Sequence, residues 1–93
     1  MAHRVDWSPR AISDVDAIAL YIAADSPSYA SAVVRRIVAL TRTLGEFPHS
    51  GRKVPEYDDE NIRELIAYSY RIIYVTGENS VTIAAVIHGK RML

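Results

Sequence analysis

The sequence predicts an α+β domain with the element order β-α-α-β-β-β, in which a helical hairpin packs on one face of a small, mainly antiparallel sheet. Two patterns carry this prediction. Two segments with helical spacing follow one another near the start of the chain, and the last third consists of three runs rich in isoleucine, valine and tyrosine. At 93 residues, with 49% hydrophobic and 24% charged side chains, the chain is expected to form a single domain over residues 1–93.

Both helices are predicted from a serine–proline start and from the spacing of apolar side chains. Ser8 is a good N-cap and Pro9 suits the first helical position, where its missing N–H costs nothing, so the first helix is expected from Pro9 to Ala24. The second is expected from Pro27 to Leu44, because apolar residues recur there at intervals of 3, 4, 3 and 4. The very short connection between them predicts an antiparallel hairpin. The apolar residues of the second helix are Ala30, Val33, Ile37, Leu40 and Leu44.

Strands are predicted at both ends of the chain. A short strand is expected at His3–Trp7. Three further strands follow at Ile62–Tyr68, Tyr70–Thr76 and Ser80–His88, with separations that suit hairpins in a meander. The last of them is apolar on both faces, so we expect it to be the central strand, covered on both sides. The helical hairpin would cover one side, and another macromolecule is expected to cover the other, which carries arginines.

A long loop is expected between the helices and the later strands. Residues 45–60 contain glycines and prolines that interrupt any regular pattern. At about 15 residues this loop is longer than most connections in compact domains, and such loops are usually functional or mobile. The acidic cluster Asp58-Asp59-Glu60 near its end is expected to be a solvated turn.

Composition argues against several classes of protein. Eleven basic and eleven acidic side chains give a net charge of zero, so the chain is not a polycation that coats nucleic acid, and no sequence-specific DNA binding is expected. The absence of cysteine excludes disulfides and thiolate metal sites, and the three histidines are scattered, so no metal or other cofactor is expected. No apolar run is long enough to span a bilayer and the first residues contain no secretory signal, which together predict a cytoplasmic protein without membrane association.

Three side chains have the chemistry for metal-free RNA cleavage. Arg71 lies in a strand otherwise built for burial, and its permanent charge needs a partner, which is either Glu64 across the hairpin or a phosphate or acidic group of another molecule. Glu56 follows a proline in the long loop, and His88 ends the last strand, where it could equally be an ordinary edge residue. A carboxylate base, an arginine on the phosphate and a histidine acid suffice for attack of a ribose 2′-hydroxyl on the neighbouring phosphate. Spacing alone does not show that the three converge.

Several short motifs, taken together and in order, resemble one known superfamily. They cover nearly the whole chain and are similar to those of RelE/ParE toxins from type II toxin–antitoxin modules. The resemblance implies a compact β-α-α-β-β-β fold and a cognate antitoxin whose C-terminal segment wraps the toxin as an extended or helical strip. The motifs are Ser8-Pro9-Arg10-Ala11, Pro48-His49-Ser50-Gly51-Arg52, Ile62-Arg63-Glu64-Leu65, Tyr70-Arg71-Ile72-Ile73-Tyr74 and Val86-Ile87-His88-Gly89-Lys90-Arg91.

The resemblance implies different site residues for the two branches of this superfamily. RelE-like members cleave messenger RNA in the ribosomal A site without a metal, whereas ParE-like members poison DNA gyrase. Arg71 matches the strand arginine that RelE-like nucleases place on the scissile phosphate, and Arg91 matches a second arginine. Glu56 resembles the base of the YoeB branch and His88 resembles its terminal histidine. On a RelE-like interpretation the catalytic residues would therefore be Glu56, Arg71 and His88.

The departures from the RelE pattern favour the ParE-like branch. Ile62 and Glu64 stand where the RelE branch has catalytic lysines, and Gly89 stands where the YoeB branch has a tyrosine. The balanced charge also lacks the excess of lysine and arginine that strengthens binding to RNA phosphates. The pronounced helical hairpin and the His-x-x-Arg ending resemble ParE-like toxins more closely.

We therefore expect a growth-arresting toxin that inhibits DNA gyrase and is neutralised by its antitoxin. Two alternatives stay open at this point: a metal-free mRNA endoribonuclease acting at the ribosome, and an inactive module that only binds its antitoxin. The side chains expected to contact the target or the antitoxin are Arg52, Lys53, Arg63, Arg71, Lys90 and Arg91.

Overall fold

Two helices pack on one face of a five-stranded mixed sheet in the residues that the structure describes. The structure is a computed structural model and describes residues 2–91 and residue 93. The strand order is β1-β5-β4-β3-β2; β1 runs parallel to β5 and the other neighbouring strands are antiparallel. The predicted α+β class and the helical hairpin are confirmed. The elements are β1 (Arg4–Trp7), α1 (Pro9–Ala23), α2 (Pro27–Thr43), β2 (Arg52–Lys53), β3 (Ile62–Ala67), β4 (Tyr70–Thr76) and β5 (Ser80–His88).

Both helices begin where the sequence predicts. The Ser8 hydroxyl accepts a hydrogen bond from the Ala11 N–H at 3.0 Å, and Ser26 caps α2 in the same way at 3.2 Å. Each cap supplies an acceptor for a backbone N–H that has no partner within the helix. The helices end one residue earlier than predicted, at Ala23 and Thr43. Neither of these two helices has the length and hydropathy needed to cross a membrane.

The main core lies between the helical hairpin and the sheet. It contains buried side chains from both helices and from β3, β4 and β5, and residues of β1 pack against it. Removing such apolar surface from water is the largest favourable term in folding, worth about 1.5–3 kcal/mol for each large side chain. The buried members are Ala11, Ile22, Ala30, Val33, Ile37, Leu44, Ala67, Ile72, Tyr74, Val81, Ile83 and Val86.

The later strands match the predicted segments closely, but the order of the sheet differs from expectation. β4 and β5 have the predicted bounds, and β3 ends one residue early at Ala67. β5 is an interior strand, as its apolar character requires, whereas the middle position belongs to β4. The prediction that Ser80–His88 is the central strand is wrong in this respect, because β1 and the short strand β2 extend the sheet at its two edges.

The chain itself covers the second face of the sheet. A second apolar cluster lies on the side away from the helices, and one of its members comes from the segment between β2 and β3, which folds back over this face. The expectation that another macromolecule would have to cover this side is therefore wrong for the described residues. The members are Val54, Ile73, Ala85 and Ile87, with Ile62 packed against them.

The long loop contains a short strand that the sequence does not reveal. β2 has two residues, too few for a pattern of alternating polarity, and it places Arg52 opposite Glu64 of β3. Gly51, directly before it, lies so close to β3 that a Cβ would collide with the Glu64 carbonyl oxygen and lie 2.7 Å from Tyr74 Oη. The Gly51 N–H donates to that same Tyr74 oxygen at 2.9 Å. This close approach fixes where the loop meets the sheet.

β5 bulges where it passes the start of α1. Its register with β4 shifts by one residue, which leaves Ala84 without an opposite partner. The Ser8 hydroxyl donates to the Ala84 carbonyl at 2.9 Å, and the Val86 N–H donates to the Asp14 carboxylate at 2.9 Å. Side chains at the start of the first helix thus satisfy backbone groups of β5 beyond the end of β1.

Replacing Gly51 by alanine is expected to destabilise the fold. The new methyl group would overlap the backbone of β3, and overpacking of this kind costs about 1–3 kcal/mol. The free energy of unfolding, from urea titration followed by circular dichroism, measures the loss. Gly77→Ala is the matched control, since the nearest atom to a Cβ at that position is 3.4 Å away. Equal effects of the two substitutions would contradict the packing argument.

Candidate functional site

A buried arginine lies near the start of β4, on the sheet face that points away from the helices. Only 6% of the Arg71 side chain is exposed, and its Nε–H donates to Glu64 Oε1 at 2.6 Å. The Glu64 side chain has no exposed area, and its other oxygen accepts from Arg52 at 2.5 Å. Of the two kinds of partner that the sequence left open for Arg71, the structure shows Glu64 across the hairpin. The hydrogen bonds from two guanidinium groups compensate the cost of burying this carboxylate away from water.

Glu56 reaches the same guanidinium from the loop. Nη1 and Nη2 of Arg71 each donate to one Glu56 oxygen at 2.8 Å, which makes a bidentate pair. Nη1 also donates to the Arg91 carbonyl oxygen at 3.0 Å. Four of the five N–H groups of Arg71 are therefore engaged. We refer to Arg52, Glu56, Glu64 and Arg71 as the ion network, and its formal charges sum to zero.

The ion network borders a cleft, and its hydrogen bonds shift the pKa values of Glu56 and Arg71. The cleft has a volume of about 320 Å³ and is lined by Arg52, Pro55, Glu56, Arg71 and Gly89. Hydrogen bonds from Arg71 lower the pKa of Glu56 from 4.5 to about 2. The same bonds raise the pKa of Arg71 above its ordinary value. Glu56 is thus a carboxylate at neutral pH, and one with so low a pKa is a weak proton acceptor.

His88 lies on the opposite face of the sheet. It stands opposite Tyr70 in the pairing of β4 with β5, and the two rings meet edge to face with centroids 5.7 Å apart. Tyr70 packs against the main core on the helix side, so the next residue, Arg71, points to the other side. His88 accordingly lines a groove beside α1, together with Tyr21. The fold brings Glu56 and Arg71 together and does not bring His88 to them.

The other predicted contact residues divide into paired and free cations. Lys53 forms ion pairs with two carboxylates of the acidic cluster in the loop, the shorter at 3.1 Å. Arg63 donates to a third cluster oxygen, on Glu60, at 2.8 Å. Lys90 and Arg91 are exposed, and no acidic side chain among residues 2–91 and 93 pairs with them. In the same residues no three side chains able to ligate a metal come together.

An aromatic cluster near the tip of the helical hairpin was not predicted from the sequence. Tyr29 of α2 and Tyr68 of the β3–β4 turn meet edge to face with centroids 5.7 Å apart. Tyr21 and Tyr70 line a cavity beside them. The turn between β3 and β4 has only two residues, and in it Tyr68 takes a positive φ of 54°. Exposed aromatic side chains of this kind are typical of surfaces that bind proteins.

Comparison with known proteins identifies the family. The family described as ParE toxin of the type II toxin–antitoxin system parDE matches residues 5–93. The chain belongs to this family. Toxin RelE2 of Caulobacter vibrioides is 31% identical over 90 residues, which are 96% of this chain and 98% of that protein. Y4kP of Sinorhizobium fredii is 43% identical over 49 residues, so this match spans about half of each protein, 53% of this chain and 51% of the relative.

Two solved structures of toxin–antitoxin proteins share the fold. The structure described as the chromosomal ParDE TA system from P. aeruginosa has a TM-score of 0.76 at 20% identity, over 94% of this chain and 96% of that one. The YoeB dimer from Staphylococcus aureus has a TM-score of 0.65 at 16% identity, over 95% and 98%. At these identities the likeness is evidence for the fold alone. With the family match it confirms the predicted RelE/ParE fold, and membership of a type II family implies a cognate antitoxin as partner.

The pairing of Glu56 with Arg71 is expected to make the stability of this ParE-family toxin depend on pH between about 2 and 4.5. The folded-state pKa lies below the unfolded value, so the unfolded chain binds more protons in this interval. The stabilisation is therefore fully present above pH 4.5 and is lost as the pH falls toward 2. Urea titrations of the wild-type toxin and Glu56→Gln across this interval measure the difference in unfolding free energy. A difference that does not change with pH would contradict the assignment.

Removing the charge of Glu64 is expected to destabilise the toxin by about 3–5 kcal/mol. Glu64→Gln leaves the buried Arg71 and the largely exposed Arg52 facing a neutral amide, and the buried amide N–H₂ adds a donor where only acceptors are needed. Chemical denaturation measures the loss. Asp58→Asn is the control, because both side chains of its pair with Lys53 are exposed, 96% for Asp58 and 42% for Lys53, and such pairs contribute about 0–1 kcal/mol. Similar losses in both variants would contradict the role given to Glu64.

Proposed function

We propose that this toxin arrests growth by inhibiting DNA gyrase and is neutralised by its cognate antitoxin, without cleaving mRNA. The family match supports the ParE branch. The structural observation that carries the proposal is the state of Arg71, whose guanidinium is held between Glu56 and Glu64 and is nearly fully buried. Inhibition of gyrase requires contact with a protein in the cytoplasm, so the proposal includes a cytoplasmic location.

An arginine in this environment is poorly suited to bind a scissile phosphate. A phosphate gains its binding energy from guanidinium N–H groups that are free to donate to it. Here four of the five are already engaged, and two carboxylates balance the positive charge of the two arginines. An incoming phosphate would have to displace Glu56 from a bidentate pair and would meet its negative charge at close range.

The acid–base pair that a metal-free ribonuclease requires also lacks support. A general base acts best when its pKa lies near the operating pH, and the pKa of Glu56 is about 2. The candidate acid, His88, lies beside α1 on the other face of the sheet. Attack by a 2′-hydroxyl and protonation of the leaving oxygen would have to take place on one substrate bound at one site, and these two side chains do not share one.

The free cations and the aromatic cluster favour a protein target over RNA. Lys90 and Arg91 are exposed, and aromatic side chains with exposed surface lie near the same end of the sheet. Aromatic anchors flanked by a few cations are a common composition for a protein interface. The net charge of zero gives no general attraction to the ribosomal RNA.

The proposal is tested with purified gyrase and with induced cells. Wild-type toxin is expected to inhibit supercoiling in vitro, and induced cells are expected to show a DNA-damage response with intact mRNA. Lys90→Ala/Arg91→Ala is expected to raise the toxin concentration needed for half-inhibition by about tenfold or more, as loss of central contacts does. Arg36→Ala/Arg42→Ala, which removes two exposed cations from α2, is the matched control and should inhibit like the wild type.

The opposite result would identify a ribonuclease. Codon-phased mRNA cuts that appear on induction, together with unaffected gyrase, would contradict the proposal. His88→Ala tests the candidate acid, because the exposed imidazole lies outside the ion network. Circular dichroism of the variant checks that it is folded, since the ring also packs against Tyr70 and accepts from the Lys90 N–H. Loss of mRNA cleavage in that variant would assign His88 the role of an acid, and growth arrest without any cleavage in the wild type supports gyrase.

A further inference from the structure

The ion network holds the backbone of the segment that follows β5. Arg71 Nη1 donates to the Arg91 carbonyl oxygen at 3.0 Å, and Glu56 Oε2 accepts from the Leu93 N–H at 3.2 Å. These two contacts join the segment to β4 and to the loop before β3, from which it is separated by 20 and 37 positions in the chain. Neither contact belongs to the pairing of the sheet.

The start of the same segment is folded into a turn. The Gly89 N–H donates to the Ser69 carbonyl at 2.6 Å, and the Arg91 N–H donates to the His88 carbonyl at 2.9 Å. The Lys90 N–H donates to His88 Nδ1 at 3.2 Å. The backbone is thus held at both ends of the turn, while the side chains of Lys90 and Arg91 extend into solvent.

We propose that Glu56 and Arg71 are positioning residues that fix the backbone of residues 89–91 and 93 and so present the Lys90 and Arg91 side chains to the target of the toxin. We call this pair, with its contacts to Arg91 and Leu93, the clasp. The clasp rests on the proposed function only in that the target is gyrase. Glu56 and Arg71 resemble catalytic residues of the RelE and YoeB branches, and in this proposal they order a binding segment instead.

The physical reason for a clasp is the cost of ordering a short segment on binding. Residues 89–91 are all exposed, so apolar burial contributes little to holding them. A free segment would lose backbone and side-chain freedom when it meets the target, and that loss weakens binding. A segment that is already ordered by charge-assisted hydrogen bonds avoids this cost. An ion pair such as Glu56 with Arg71 is not needed merely to fill this face of the sheet, because apolar side chains fill buried space at least as well.

Glu56→Gln is the variant that opens the clasp with the least change of shape. The amide cannot accept from both Nη atoms of Arg71 and also from the Leu93 N–H, whereas Glu64 still holds Arg71 through Nε. Arg52→Gln is the matched control. It removes the positive charge of Arg52, which pairs with Glu64 in the ion network. Arg52 does not contact Arg91 or Leu93. A urea titration of each variant shows that it is folded.

The first measurement is the order of the segment, from ¹⁵N relaxation of the free toxin. In the wild type and in Arg52→Gln the amides of residues 89–91 and 93 are expected to have order parameters close to the rigid value of about 0.85. In Glu56→Gln they are expected to fall below about 0.6, while the amides of β4 stay unchanged. Unchanged order of the segment in Glu56→Gln would overturn the proposal.

The second measurement is a double-mutant cycle on growth arrest in induced cells and on half-inhibition of gyrase. Glu56→Gln is expected to weaken both effects by about tenfold, and adding it to Lys90→Ala/Arg91→Ala is expected to cause no further loss, because the clasp acts through those side chains. Additive losses, or full potency of Glu56→Gln with a disordered segment, would overturn the proposal. If the wild type arrests growth without inhibiting gyrase, the proposed target is wrong, and growth arrest and order parameters alone decide on the clasp.

Discussion

The Glu64 carboxylate, buried without solvent between two guanidinium groups, is the constraint on which the sheet face away from the helices depends. It joins β2, β3 and β4, because Arg52, Glu64 and Arg71 each come from a different strand. An unpaired charge in this position would be strongly unfavourable, so the three strands must meet in one register. Once Nε of Arg71 is bound to Glu64, its two terminal nitrogens point toward the loop and toward the segment after β5, where they find Glu56 and the Arg91 carbonyl.

A match in residue type does not by itself assign a catalytic role within this fold. A glutamate, an arginine and a histidine are the groups needed for metal-free RNA cleavage, and all three occur in this chain at positions that match a related branch. What separates a catalytic set from a structural one is whether the groups keep unused donors, a suitable pKa and a shared face. Here Glu56 and Arg71 neutralise each other and His88 belongs to another surface. Motif matches in this superfamily are informative about function only when these properties are known.

Local structure could be predicted from the sequence, whereas long-range placement could not. The helix starts follow from Ser8 and Ser26, whose effect is confined to the next few residues, and Glu64 is one of the partners that a single hairpin offers Arg71. The position of Glu56 depends on how a long loop crosses the sheet, and β2 is too short to carry a pattern. The face on which His88 lies depends on the register of β4 with β5, which a bulge shifts by one residue. None of these is encoded within a single element.

The contact between Asp14 and the Val86 N–H has a consequence for how the chain avoids misassembly. β5 extends beyond the end of its neighbour β1, so the backbone of its final residues has no strand partner on that side. Unpaired backbone groups at a sheet edge can pair with another chain, which is a route to aggregation. A carboxylate from the first helix fills the place of a strand carbonyl there. Because Asp14 precedes Val86 by 72 positions, this carboxylate is synthesised before the strand amide that it covers.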